Sequence, residues 1–130
     1  MHIRLLAVAA IVVGAACSNP TYGGGGGGGG GGCTPTATQV CPLATTFSPV
    51  TLTITAGQTV TWKNSSGVGH TVTSATGSTD TYTSSLANGA TFTHQFLTAG
   101  TYEYYCQIHG TDRNGATPPG GMHGTITVNP

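Results

Sequence analysis

A cysteine and a histidine near the C-terminus are spaced so that a thiolate and an imidazole could bind one metal ion. Cys106 and His109 are separated by two residues. His70 lies alone in an upstream threonine-rich stretch, and Met122 follows further along the chain. One thiolate, two imidazoles and a thioether form the donor set of a blue-copper electron-transfer centre. Soft sulfur suits Cu(I) and imidazole suits both oxidation states, so this set favours one-electron chemistry.

The positions of the four cysteines in the chain suggest different roles for them. Cys17 follows an N-terminal export signal, which implies an oxidising destination. Cys33 and Cys41 are close enough in sequence to form a small disulfide loop. Cys106 is left without a partner, and an odd thiol in an oxidising compartment needs an explanation. Metal coordination supplies one, because a bound thiolate is protected and held deprotonated.

Residues 1–16 have the parts of an export signal. A short positive segment precedes an apolar run over residues 5–13, which is too short for an ordinary membrane span. The stretch resembles the lipobox of bacterial lipoproteins, with Gly14 where leucine is usual. This resemblance implies a lipid on Cys17, and Ser18 after it implies an exported lipoprotein facing the periplasm or cell surface, held at the outer membrane. The alternative is a cleaved secretory peptide with an incidental cysteine.

The segment 17–42 is predicted to connect this anchor to the domain. It contains ten consecutive glycines, residues 23–32, a composition that behaves as a random coil spanning roughly 16–19 Å. A phosphate-binding loop is excluded, because no lysine or helix start follows the glycines. We therefore predict a tether that holds the domain, residues 43–130, near a membrane.

Charge is scarce along the whole chain. Only six residues are charged, and outside the export signal two are basic and three are acidic. Without a basic patch to neutralise phosphates, the composition argues against nucleic-acid binding. We expect a monomer that meets its redox partner proteins by shape and apolar contact rather than by electrostatic steering.

The domain has the pattern of an all-β fold. Short stretches alternate polar and apolar residues and are separated by Gly, Asn and Ser turn signals, which predicts a sandwich or barrel of about seven to eight strands. Residues 74–90 are predicted to form a loop with one short strand. The alternating stretches are 51–54, 59–62, 71–73, 91–96, 101–106 and 124–128. The inward candidates are Leu52, Ile54, Val60, Trp62, Val72, Phe92, Phe96, Tyr102, Tyr104, Ile126 and Val128.

In combination, several segments resemble the cupredoxins, and in particular the plastocyanin, amicyanin and pseudoazurin group. The likeness covers roughly residues 45–130 and implies a Greek-key cupredoxin-like fold with one mononuclear type 1 copper site. The segments that carry it, in family order, are Phe47-Ser48-Pro49, residues 56–64, His70-Thr71-Val72, residues 100–110 and residues 121–128.

The resemblance implies a role for each site residue. His70, Cys106 and His109 would be the strong copper ligands, and Met122 the weak axial ligand. His109, on a loop at the end of the domain, would be the exit for electrons toward a partner. The amide of Thr71, where the family usually has asparagine, would donate a hydrogen bond toward the Cys106 sulfur.

The chain departs from the group between His109 and Met122. Twelve residues intervene, where the group has only a few. Loop closure costs little extra free energy as length grows, so Met122 can still return to the metal. We expect residues 110–121 to bulge at the copper end of the domain and contact partners.

Other interpretations of the same residues stay open. The ligands could serve copper storage, delivery or sensing without redox turnover, or bind zinc, although copper is favoured by affinity order and by the thioether. A cysteine hydrolase would need a third group to orient the Cys106–His109 pair, and none stands out. An Ig-like adhesion domain would make these residues incidental. We predict no enzyme, because four protein ligands leave no open position for a substrate.

Two further histidines, His123 and His94, lie outside the predicted set of metal ligands. His123 competes with Met122 as a ligand, but it points to the opposite side if the last strand has already begun. His94 shares a face with Phe92 and Phe96 and is interpreted as a structural or rim residue.

Overall fold

The computed structural model describes residues 32–112, 114 and 118–130. The predicted export signal and Cys17 lie outside these residues. Within them the chain forms nine β-strands in two sheets, so the predicted all-β fold is confirmed. In the described part of the chain, no helix has the length and apolar composition needed to cross a membrane.

The strands divide between the two sheets in a non-sequential order. One sheet has four strands in the order β2-β1-β4-β7, and the other has five in the order β3-β9-β8-β5-β6. Strands distant in sequence therefore lie side by side, as in Greek-key sandwiches. The bounds are β1 Gln39–Pro42, β2 Phe47–Ser48, β3 Thr51–Thr55, β4 Thr59–Lys63, β5 His70–Ser74, β6 Thr83–Leu86, β7 Thr91–Gln95, β8 Gly100–Thr111 and β9 Gly120–Asn129.

Two short strands raise the count above the predicted seven to eight. β1 pairs in parallel with β4 through Gln39 opposite Thr61 and Val40 opposite Trp62. The sandwich therefore includes residues before position 43, where the domain was expected to begin. β1 has three consecutive buried residues and β2 has only two residues, so neither shows the alternation by which strands are recognised. The predicted single strand within residues 74–90 is β6.

The core lies between the sheets, on the inward face of each alternating strand. Ten of the eleven predicted core side chains are buried, and Phe92 packs against them while partly exposed. Burial of each such side chain stabilises the fold by about 1.5–3 kcal/mol before entropy costs. Cys106 and Met122 belong to the same buried cluster, so the metal-ligand candidates adjoin the core rather than a separate cleft.

The chain enters the sandwich beside the connection between β4 and β5. The sulfur atoms of Cys33 and Cys41 are bonded, with their Cα atoms 5.8 Å apart. This bond fixes the segment before β1 against the strand. A Cβ placed on Gly32 would lie 3.8 Å from Ser65 Oγ. Gly32 therefore lies beside the β4–β5 connection, which leads directly into His70.

Candidate metal centre

Three side chains bring one sulfur and two nitrogens together. Cys106 Sγ lies 3.7 Å from His70 Nδ1 and 3.5 Å from His109 Nδ1. One ligand atom from each of these three residues can be chosen so that all three lie within 4.8 Å of one another. Metal–nitrogen bonds of about 2.0 Å and metal–sulfur bonds of about 2.3 Å place two donors roughly 3.5–3.7 Å apart around one ion. The separations are those of a single metal site.

His70 is held beside Cys106 by strand pairing. It is the first residue of β5, which lies between β6 and β8 in the five-stranded sheet. Thr73 of β5 pairs with Tyr105 of β8, which brings the start of β5 to the position of Cys106. Both side chains are buried, with relative exposures of 2% for His70 and 0% for Cys106.

Burial also favours the neutral form of His70. Desolvation lowers the pKa of the imidazole, and the nearby His109 lowers this pKa further. A ring that resists protonation keeps a lone pair free at neutral pH, as metal ligation requires.

Thr71 holds the cysteine segment through two hydrogen bonds. Its amide donates to Cys106 Sγ at 3.4 Å, so the predicted bond to the sulfur is confirmed. Its hydroxyl oxygen accepts a bond from the Gln107 amide at 2.8 Å. The threonine side chain therefore ties β5 to the segment between Cys106 and His109.

His109 lies within a strand, and the predicted loop position is wrong. β8 continues to Thr111, but its register with β9 shifts between Tyr105, which pairs with His123, and Gly110, which pairs with Gly121. The four residues 106–109 consequently stand opposite one residue of β9. Such a bulge bends the strand and redirects its side chains. Here it turns both Cys106 and His109 toward the same point.

The single residue opposite this bulge is Met122. It is 1% exposed and packs in the core cluster that contains Cys106. His123, the next residue, is half-buried on the other side of the strand, and its Nδ1 lies 2.9 Å from the carbonyl oxygen of Gly121. Alternation along β9 therefore separates the two candidates for the fourth ligand and directs Met122 inward.

Two glycines allow the strands around Met122 to approach closely. A Cβ on Gly110 would lie 2.7 Å from the carbonyl oxygen of Met122. A Cβ on Gly121 would lie 2.7 Å from the carbonyl oxygen of His109, and Gly121 has φ +68°. A side chain at either position would push the two strands apart. Glycine is required here both for space and, at Gly121, for backbone conformation.

The long segment after His109 extends the β8–β9 hairpin, where a bulging loop was expected. Thr111 pairs with Gly120, so the insertion begins and ends as paired strand. The Asp112 carboxylate accepts bonds from the amide of Thr76, at 2.9 Å, and from its hydroxyl. These bonds hold the pKa of Asp112 below its usual range. Thr76 lies on the β5–β6 connection, so the hairpin is fastened to the part of the sheet that carries His70.

His94 has the structural role that the sequence predicted. Its Nε2 lies 2.8 Å from Asp80 Oδ2, and its ring lies 4.4 Å from that of Tyr82. The half-buried pair joins β7 to the connection before β6. The sequence did not single out Ser66, whose Oγ lies 2.9 Å from His70 Nε2, or the bond from Thr76 to Asp112. No spacing motif in the sequence indicates these contacts. Ser66 lies on the irregular connection before His70, and Asp112 is 36 residues from its partner Thr76.

The donor set of the site fits copper. Two imidazole nitrogens and a thiolate lie at single-ion distances, and a buried thioether residue stands opposite the bulge that carries two of them. Thiolate and thioether are soft ligands that suit Cu(I), imidazole suits both copper oxidation states, and two histidines with one cysteine and a weak methionine are the donor set of blue-copper sites.

Comparison with known proteins gives the same result. A sequence model of copper binding proteins, the plastocyanin/azurin family, matches residues 36–129. Plastocyanin of Scenedesmus fuscus is 38% identical over 94 residues, which cover 65% of this chain and 88% of that protein.

Solved structures agree with the sequence match. A novel purple cupredoxin from Nitrosopumilus maritimus is 30% identical, with a TM-score of 0.55, over 71% of this chain and 99% of that one. An amicyanin mutant in its reduced state shares the fold at 24% identity and a TM-score of 0.58, over 72% of this chain and 82% of that one. Fold, donor chemistry and sequence match thus agree: this chain is a cupredoxin with copper as its cofactor, and it belongs to the plastocyanin/azurin family of copper-binding proteins.

Proposed function

We propose that this protein carries single electrons between partner proteins, using one copper ion bound by His70, Cys106 and His109 with Met122 as the weak fourth ligand. The observation that carries the proposal is the cluster of Cys106 Sγ with two imidazole Nδ1 atoms at 3.5 and 3.7 Å. Bound copper supplies the one-electron chemistry by alternating between Cu(I) and Cu(II).

The surrounding residues favour a carrier because they fix the ligands in advance. Cys106 is buried, and its sulfur accepts a hydrogen bond from the Thr71 amide. His70 is buried at the start of a paired strand. Ligands whose positions are set by packing and hydrogen bonds move little when the charge of a bound ion changes. This property serves electron exchange better than it serves uptake and release of metal.

His109 is where the site approaches the surface. It is half-buried, whereas His70 is buried, and its neighbour Ile108 is 60% exposed. Val68, two residues before His70, is 43% exposed. With so few charges on the chain, we propose that redox partners dock at this end through apolar contacts around His109.

The same proposal includes an exported protein held at the outer membrane by a lipid on Cys17. The bonded Cys33–Cys41 pair supports an oxidising location. The position of Gly32 beside Ser65 supports a tether that joins the domain near the metal-binding end. Substitution Cys17→Ala is expected to abolish incorporation of labelled fatty acid and release the protein from membranes. Retention of the label would contradict the assignment of the lipid to Cys17.

Electron self-exchange of the copper-loaded domain separates a carrier from a copper store. We expect rapid exchange between the Cu(I) and Cu(II) forms, measured by NMR line broadening in mixtures of the two. Copper-loaded protein that binds the metal tightly but exchanges electrons very slowly would contradict the carrier function and favour storage or delivery by the same ligands.

A further inference from the structure

Both ring nitrogens of the buried His70 have a neighbour. Nδ1 faces Cys106 Sγ at 3.7 Å, and Nε2 lies 2.9 Å from Ser66 Oγ. A neutral imidazole carries its proton on only one nitrogen. If Nδ1 is the metal-binding atom, the proton must reside on Nε2, which then donates to the Ser66 hydroxyl oxygen.

The Ser66 hydroxyl is itself oriented by Asn64. Ser66 Oγ lies 2.8 Å from Asn64 Oδ1, and the Ser66 amide donates to the same oxygen at 3.0 Å. The hydroxyl has one proton, and the alternative acceptor, the carbonyl oxygen of Val68, lies further away at 3.2 Å. Donation to Asn64 leaves a lone pair of the serine oxygen directed at the His70 ring.

The Asn64 side chain, which ends this series of hydrogen bonds, is held in one orientation. It is fully buried, and Nδ2 donates to the carbonyl oxygens of Val68, at 2.7 Å, and Leu86, at 2.8 Å. The main-chain amide of Asn64 donates to the carbonyl oxygen of Ala90, and its main-chain oxygen accepts the amide of Gly89. A buried amide with every polar group paired has no alternative orientation of similar energy.

The bonds therefore have one direction, from His70 Nε2–H to Ser66 Oγ–H to Asn64 Oδ1. We propose that Ser66 is a positioning residue for copper: its hydroxyl fixes the tautomer and the ring orientation of His70 so that Nδ1 is presented to the metal. The proposal deepens the proposed function, since it rests on His70 being a ligand. Groups that hold a ligating histidine through its second nitrogen typically change metal affinity 10–100-fold when removed.

Three variants test this role. Ser66→Ala removes the acceptor and leaves the His70 Nε2–H without its partner. Ser66→Thr retains the hydroxyl. Ser65→Ala is the matched control, because it removes a neighbouring hydroxyl that faces Gly32 rather than His70. We expect Ser66→Ala to bind Cu(II) at least about tenfold more weakly than the wild type, with an altered copper EPR spectrum. The threonine variant and the control should bind as the wild type does.

NMR of the metal-free protein tests the positioning without relying on copper. In the wild type we expect the NMR signals of the His70 ring nitrogens to show that the proton is on Nε2 and that it exchanges slowly with water. In Ser66→Ala the same proton should exchange faster. A wild-type proton on Nδ1, or a Ser66→Ala variant with unchanged exchange and unchanged copper affinity, would overturn the role of Ser66. If Ser66→Ala does not fold, the wild-type tautomer and the threonine variant decide the question. A correct tautomer in a protein that binds no copper would instead reject the proposed function.

Discussion

The two histidines of the site are held by different means. His70 is buried, begins a strand paired on both sides, and contacts a network of neutral polar groups through its second nitrogen. His109 is half-buried and owes its direction to a backbone bulge beside two glycines that permit close strand contact. One ligand is thus fixed by packing and hydrogen bonds, and the other by strand geometry. This difference gives the site a rigid interior side and an accessible side.

The largest expected effect comes from removing each histidine in turn. His109→Ala should lose the copper site but regain it when free imidazole is added, because the vacated position is reached from the surface. His70→Ala should not be rescued, because its position is 2% exposed and enclosed by the core. Titration of both variants with Cu(II) and imidazole, followed by absorption spectroscopy, measures the contrast. Equal rescue of the two variants would remove the distinction between an interior and an accessible side.

The strand geometry around His109 is tested by Gly121→Ala. A Cβ there would lie 2.7 Å from the His109 carbonyl oxygen in a backbone with φ +68°. Gly57→Ala is the matched control, because Gly57 has φ +90° but a Cβ at that position would have no atom within 4 Å. We expect about 1–2 kcal/mol loss of unfolding free energy in the control and about 2–4 kcal/mol in Gly121→Ala. Equal losses in urea denaturation would show that the contact with His109 is unimportant.

A smaller effect is expected where the hairpin is fastened to the β5–β6 connection. The two bonds from Thr76 lower the pKa of Asp112, so the ionised carboxylate stabilises the folded state. That contribution should be complete at pH values above 3.8, the ordinary pKa of an aspartate. It should disappear as the pH falls through the lower pKa that Asp112 has in the folded protein.

The measurement is the difference in unfolding free energy between wild-type and Asp112→Asn metal-free protein as a function of pH. The difference should be greatest near neutral pH and shrink on acidification below about pH 4. A difference that grows on acidification would contradict the bonds to Thr76. Thr76→Val keeps the amide donor but removes the hydroxyl, so it should lose part of the pH-dependent unfolding free energy that Asp112→Asn loses.

The inward residues of the site were predictable because alternation assigns each residue to a face. Tyr102, Tyr104 and Cys106 alternate along one strand, so a buried thiol at the end of the run follows directly from the pattern of its neighbours. Met122 and His123 are separated by the same rule. The ten buried core predictions have this origin as well.

The sequence did not predict features that depend on register or on irregular backbone. The bulge at 106–109 arises from pairing between Gly110 and Gly121, which no local pattern encodes, so His109 was expected on a loop. β1 lacks alternation because three of its four residues are buried. Ser66 reaches His70 across a non-helical connection, where a separation of four residues carries no information about contact.

The central claim is that Cys106 and the two histidines bind copper as a redox site. Its most direct test is the absorption and EPR spectrum of the domain loaded with Cu(II), with Cys106→Ala as the control. We predict an intense thiolate-to-copper charge-transfer band that is absent from the variant. A wild-type spectrum without this band, or a band that persists in Cys106→Ala, would contradict the assignment of the site.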